Sequence, residues 1–117
     1  MVTLGGFVLK VSDAGRAARF WSEALGYVPE PERPWVLRPP AGGPLLFLDE
    51  DDRSHVDLWA DPGEQEGEIV RLVALGATRP PWDHSPDADH VVLADPDGNL
   101  FCVVSGGPVS STEQAAP

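Results

Sequence analysis

The chain predicts an α+β fold in which one strand–helix–strand unit is used twice. Three observations carry this expectation. Two segments, Asp13 to Tyr27 and Asp61 to Ala77, each follow a strand-like run, open on Asp and close on Leu-Gly. Each is followed by short β-rich runs separated by Pro, Gly and Asp. The turns echo as well: Pro40-Ala-Gly-Gly-Pro-Leu-Leu-Phe47 stands beside Pro96-Asp-Gly-Asn-Leu-Phe-Cys-Val103. Self-similarity of this kind marks one supersecondary unit repeated, and function is expected in the cleft where such units meet.

The elements follow in order. Phe7 to Val11 alternates and is β-rich, so it reads as a strand. Ser12 or Asp13 caps a helix whose face is Ala17, Phe20, Trp21, Ala24 and Leu25, spaced as one side of a 3.6-residue turn. Gly26 ends it, because a left-handed backbone costs glycine nothing. Pro29, Pro31 and Pro34 rule out further helix. Trp35 to Arg38 and Leu45 to Leu48 are short strands around a Pro/Gly turn, and Asp49 to Asp52 is an acidic turn. His55 to Trp59 alternates as a half-buried strand does. A second helix starts at Asp61 or Gly63, with Glu64, Glu66 and Glu68 suited to its positive end, and packs through Ile69, Leu72, Val73 and Gly76. Arg79 to Asp89 is a loop, His90 to Ala94 a strand, Asp95 to Asn99 a tight turn and Leu100 to Val104 the last strand. The expected organisation is a single domain over 1–105, with modules of about 1–52 and 53–105, and a flexible tail over 106–117.

Composition narrows the function. The 117 residues carry a net charge of −11 with a single lysine, Lys10. Such a surface repels phosphate backbones, so neither nucleic acid nor an anionic membrane is an expected partner. A cationic ligand is compatible with it, although acidic surface also simply aids solubility. No run is long and apolar enough to span a bilayer, no basic and apolar leader opens the chain, and Cys102 is the one cysteine; a cytoplasmic location is expected. P-loop, dinucleotide-glycine and Gly-x-Ser-x-Gly patterns are absent.

Several residues recommend themselves as a site. On the strand 55–59, His55, Asp57 and Trp59 share one face, while Val56 and Leu58 point to the other and pack under helices. That face offers a proton carrier, a negative charge and a stacking surface. The alternative is that Asp57 pairs with Arg38, Arg53 or Lys10 and that Trp59 is core. Trp35 and Trp82 flank proline-rich loops and suit stacking on flat or cationic ligands, or else pack beneath those loops. Asp57 with His55 or His90 could form an acid–base pair. Lys10 is expected on the same side as Val8.

The start Val8-Leu-Lys-Val-Ser-Asp13, the Arg19-Phe-Trp21…Ala24-Leu-Gly26 helix, the middle His55-Val-Asp-Leu58, the helix end Arg71 to Ala77, and the close Ala94-Asp-Pro-Asp-Gly-Asn-Leu-Phe-Cys102 resemble the vicinal oxygen chelate superfamily. Its small glyoxalase-like domains, alongside bleomycin-resistance proteins and extradiol dioxygenases, are the nearest in character. The resemblance implies paired βαβββ modules whose strands curl into a half-open curved sheet with the helices outside, a homodimer, and a small-molecule ligand. It also places the metal-ligand positions of metal-using members at or near Gly6, on His55, on Cys102 and near Leu46. Only His55 among these is a usual ligand for that style of site. A catalytic metal needs about three protein ligands. His55 and Cys102 make two, and His84 or His90 is a conceivable third. The expectation is therefore no cofactor and a protein that binds a small aromatic or cationic molecule in a tryptophan-lined cleft made by Trp35, His55, Asp57, Trp59, Trp82 and His90, as in antibiotic sequestration. The alternative is an enzyme of glyoxalase or dioxygenase type with one divalent metal ion and His55 as ligand or base.

Overall fold

The structure, a computed structural model, describes residues 1–81 and 89–106. The fold is α+β. Its elements are β1 (Thr3–Lys10), α1 (Ala14–Leu25), β2 (Val28–Pro29), β3 (Val36–Arg38), β4 (Leu45–Asp49), β5 (His55–Ala60), α2 (Gln65–Ala74), β6 (His90–Ala94) and β7 (Leu100–Ser105). The first module is strand, helix and three strands. The second has the same order, with an isolated bridge between Thr78 and Ala94 at the place where the first has β2.

The hydrogen-bonded order is β2-β3-β4-β1-β5-β7-β6. Each module repeats one rule: its first strand pairs parallel with its last, as β1 with β4 and β5 with β7, and the last pairs antiparallel with the strand before it. Two compact units result, Gly6–His55 and Met1–Gly5 with Val56 onward, so β1 contributes to both.

In the unit Gly6–His55, α1 begins because Asp13 is extended (φ −148°, ψ 102°) and its Oδ1 accepts the Arg16 N–H at 3.0 Å. That bond holds the Asp13 carboxyl below its ordinary range. The helix ends where Gly26, at φ 73°, donates its N–H to Ser22 O. The core here is Ala18, Leu37, Leu46 and Leu48, with Leu9, Val11, Ala17, Trp21 and Tyr27 against it. The inward face of α1 is thus Ala17, Ala18 and Trp21. Phe20 and Leu25, expected to pack inward, stay exposed, and Phe20 meets Trp21 edge-on at 5.1 Å. Glu30 accepts from both Arg33 and Arg38. Desolvation would raise its carboxyl, but the two guanidiniums more than offset that and lower it.

In the other unit, Ala60, Ile69, Leu93, Phe101 and Val103 form the core, and Val2, Val56, Leu58, Leu72, Ala77 and Val91 pack against it. Ile69 is fully buried; burial of a side chain of that size stabilises by roughly 2 kcal/mol. Helix α2 starts at Gln65, four residues after Asp61, because the Gln65 side chain ties it down. Its Nε2 donates to Val103 O at 2.9 Å and to Asp89 O at 3.1 Å. The turn after β6 is held by Asp95, whose carboxylate accepts from Asp97 N, Asn99 N and Asn99 Nδ2. The Asn99 side chain leads in lowering its pKa.

Candidate functional site

Strand β5 divides its residues between two tasks. Val56, Leu58 and Ala60 enter the core beneath α2. Alternation then sends His55, Asp57 and Trp59 to the opposite face, as the sequence predicts. The register of β5 with β7 sets Asp57 beside Cys102 and Trp59 beside Val104, and β6 continues the rows with Val92 and His90. One row is therefore Asp57, Cys102, Val92, and the next is Trp59, Val104, His90.

His55, Asp57 and Cys102 converge. A ligand atom from each lies within 4.8 Å of the other two. The boundary between the compact units falls after His55, inside β5. His55 and Asp57 are nevertheless two residues apart on one strand, which sets their spacing. Solvent reaches little of the trio: Cys102 is buried, Asp57 Oδ1 is shut off, and the His55 side chain is 9% exposed. His55 Nδ1 lies 2.7 Å from Arg53 O. A carbonyl only accepts, so Nδ1 carries the proton and Nε2 is the nitrogen with chemistry to offer. Asp52 Oδ2 lies 4.0 Å from the same Nδ1. Asp49 is ionised below its ordinary range, chiefly by the N–H groups of Asp52 and Asp51. The approach to His55 is accordingly acidic.

Trp59 reaches its place because Gly5 has no side chain. A Cβ at Gly5 would stand 2.1 Å from Trp59 Cδ2 and Cε2. Gly6 serves Phe47 in the same way, its Cβ position lying 2.7 Å from Phe47 Cε2. This bears on the metal positions implied by the resemblance. At Gly6 a ring occupies the space a ligand would need, and Leu46 is committed to the core. The residues present do not fit a ligand set drawn from both modules. Asp57, expected to line a ligand site, to form an acid–base pair or to pair with Arg38, Arg53 or Lys10, lies close to His55 and Cys102.

The other expected site residues have these surroundings. Trp35, 46% exposed, lines a cavity of about 320 Å³ with Ala14, Ala18, Arg19, Pro29 and Pro34, all in the Gly6–His55 unit. His90 is exposed, with Nδ1 3.3 Å from Asp89 Oδ1. Lys10 donates its Nζ to Glu50 O, and Arg38 is engaged by Glu30. Trp82, His84 and the segment 107–117 lie outside the described residues. No helix among the described residues is long and apolar enough to cross a membrane.

Twin modules that pair first strand with last, and a polar face on the first strand of the second, define a glyoxalase-like protein of the vicinal oxygen chelate superfamily. The chain belongs to the glyoxalase-like domain family, whose model matches residues 6–104. Similar solved structures include a glyoxalase-related enzyme from Fulvimarina pelagi, 23% identical over 88% of this chain and 87% of that one, TM-score 0.33. A member of the glyoxalase/bleomycin resistance protein/dioxygenase superfamily from Sphaerobacter thermophilus DSM 20745 is 19% identical over 90% and 98%, TM-score 0.33. An antibiotic binding protein from Streptomyces sp. CB03234 is 20% identical over 92% and 98%, TM-score 0.34. No curated protein matches the chain.

Proposed function

We propose that the protein binds a small, flat, cationic or aromatic molecule on the face of β5, β7 and β6, and holds it without transforming it. The observation that carries this reading is Trp59, a half-buried indole seated over Gly5 and two residues from the Asp57 carboxylate on the same face. A ring beside a negative group is the arrangement that attracts an aromatic cation. The acidic turn at Asp49 to Asp52 and the net charge of −11 favour the same ligand class. Planar cations such as ethidium are suitable probes, read by tryptophan fluorescence and calorimetry. Trp59→Leu is expected to weaken binding about 10-fold, and Asp57→Asn by a similar factor. Absence of binding across a panel of cationic and aromatic antibiotics, or binding indifferent to both substitutions, overturns the reading.

The convergence of His55, Asp57 and Cys102 favours a second reading, an enzyme of glyoxalase or dioxygenase type. In it His55 Nε2, oriented by the Nδ1 bond to Arg53 O, is a base or a ligand. A detected activity that survives His55→Ala removes that role.

A further inference from the structure

We infer that the cavity along α1 binds a small planar aromatic carboxylate, with its ring between the helix and Trp35 and its carboxylate on Arg19. The site lies wholly within the Gly6–His55 unit. Its ligand is opposite in charge to the one proposed for the face of β5, β7 and β6, so the inference does not depend on that reading.

Three observations converge. The first is a trough built into α1. Ala14, Ala18 and Ser22 are four residues apart and form one row along the helix, with Gly15 and Arg19 in the row beside it. Short side chains along such a row leave room, and the cavity of about 320 Å³ is that room. Small-molecule sites span roughly 300–1,000 Å³, so a ligand of one or two rings suits it.

The second observation is a flat apolar wall held in place by backbone bonds. Pro29, Pro34 and Trp35 form it. Glu30 N donates to Val36 O, Val36 N to Arg33 O and Leu48 N to Trp35 O, each at 2.9 Å. Trp35 is thus fixed through its own carbonyl and through its neighbour, although its side chain is 46% exposed. A half-exposed indole on a preformed apolar wall offers a stacking surface.

The third observation is charge. Among the lining residues Arg19 alone is charged. The chain has 19 acidic residues against 8 lysines and arginines, so acids are plentiful. Lys10, Arg16, Arg33, Arg38, Arg71 and Arg79 each have a polar or charged partner. The Arg19 guanidinium makes no hydrogen bond or ion pair among the described residues. It acts on Asp13 only through space, and Asp13 Oδ1 is taken by Arg16 N. Its Nη1 stands 4.0 Å from the position a Cβ would take on Gly15, which lines the trough with it.

This lining selects the ligand. A guanidinium meets a carboxylate through two parallel N–H···O bonds, and such bonds strengthen where apolar walls keep water out. The indole and the proline rings favour a flat ring over a branched chain. Arg19 repels a cation. A dianion such as a phosphate monoester is disfavoured in its turn, because the net charge of −11 opposes each further negative charge.

The test uses the full chain and one ring system in three charge states: naphthoate, naphthamide and naphthylmethylammonium. Affinity is measured by calorimetry, and the site is located by backbone and indole N–H shifts in nuclear magnetic resonance. Naphthoate is expected to bind about 10-fold more tightly than naphthamide, and the ammonium compound most weakly. The shifts are expected on α1 and on the Trp35 indole. Arg19→Gln should remove about 10-fold of the naphthoate affinity and leave naphthamide unchanged, whereas Trp35→Ala should weaken both. Arg16→Gln, whose parent side chain is bonded to Ser12 Oγ, should change none of them. Should Trp35→Ala fail to fold, the exposed Arg19→Gln variant and the charge series decide. Naphthoate binding weaker than about 1 mM, naphthoate no tighter than naphthamide, or shifts centred on β5 and β7 overturn the inference. So does a dimer that falls to monomers on Arg19→Gln, since the cavity then belongs to a second copy of the chain. Ethidium separates the two proposals. Naphthoate bound with ethidium absent from the protein leaves this site standing while the β5 reading fails, and ethidium bound alone does the reverse.

Discussion

Gly5→Ala is a small change with a calculable result. The added Cβ would stand 2.1 Å from two atoms in the middle of the Trp59 indole, whereas ordinary contact begins at 3.4 Å. The ring must therefore retreat by 3.4 − 2.1 = 1.3 Å or more, and rotation about its own axis does not achieve this because the clash is with the ring fusion. Forcing one methyl into such a contact costs about 1–3 kcal/mol. Restricting the unfolded chain returns about 0.5–1 kcal/mol. The net loss is about 1–2 kcal/mol, a fall in melting temperature of roughly 4–8 °C for a domain of this size. Urea and thermal unfolding followed by tryptophan fluorescence measure both the loss and the displaced ring. In a Trp59→Leu background the same substitution should be neutral or slightly stabilising, a coupling of about 2 kcal/mol. An equal cost in both backgrounds, or no cost in either, refutes the packing argument.

Other substitutions have defined outcomes. Gly67→Ala, within α2 and with nothing within 4 Å of its Cβ position, should stabilise by about 0.5–1 kcal/mol in urea unfolding. Ile69→Ala empties a fully buried position and should cost about 3 kcal/mol. Glu30→Gln should cost about 1 kcal/mol at neutral pH, through lost bonds to half-exposed Arg33 and Arg38. The folded Glu30 carboxyl lies below its ordinary value of 4.5, so its contribution is present above that pH and lost as pH falls through the folded value. The difference between wild type and Glu30→Gln should accordingly shrink as unfolding is measured in more acid buffers.

Local pattern made some of this molecule legible and left other parts hidden. The strands at His55–Ala60 and His90–Ala94 were readable because alternation and turn residues bound them on both sides. The opening of β1 at Thr3 and all of β2 were not, since Gly5, Gly6 and Pro29 are poor strand formers, Gly6 and Pro29 being held there by pairing with Leu45 and Leu37. The inward face of α1 was misjudged by one position: Phe20 is apolar and correctly spaced, yet Ala18, which lets the helix approach Leu37 and Leu46, is the buried residue. At the site, alternation alone put His55, Asp57 and Trp59 on one face. What it could not give was Cys102 beside Asp57, because register between strands far apart in sequence is written in no local signal. Trp35 lines the cavity along α1 beside Pro29 and Pro34, a placement that its residue type alone does not signal.

Pro29 has a consequence for how the chain behaves in a crowd. Glu30 N bonds to Val36 O, and Val28 stands opposite Arg38, so the intervening Pro29 faces away from β3 with its backbone. That is where an incoming extended chain would look for a donor, and proline has none. The margin of the sheet at β2 is thereby closed to templated growth, and an aggregate that adds molecule to molecule by backbone pairing has no foothold there.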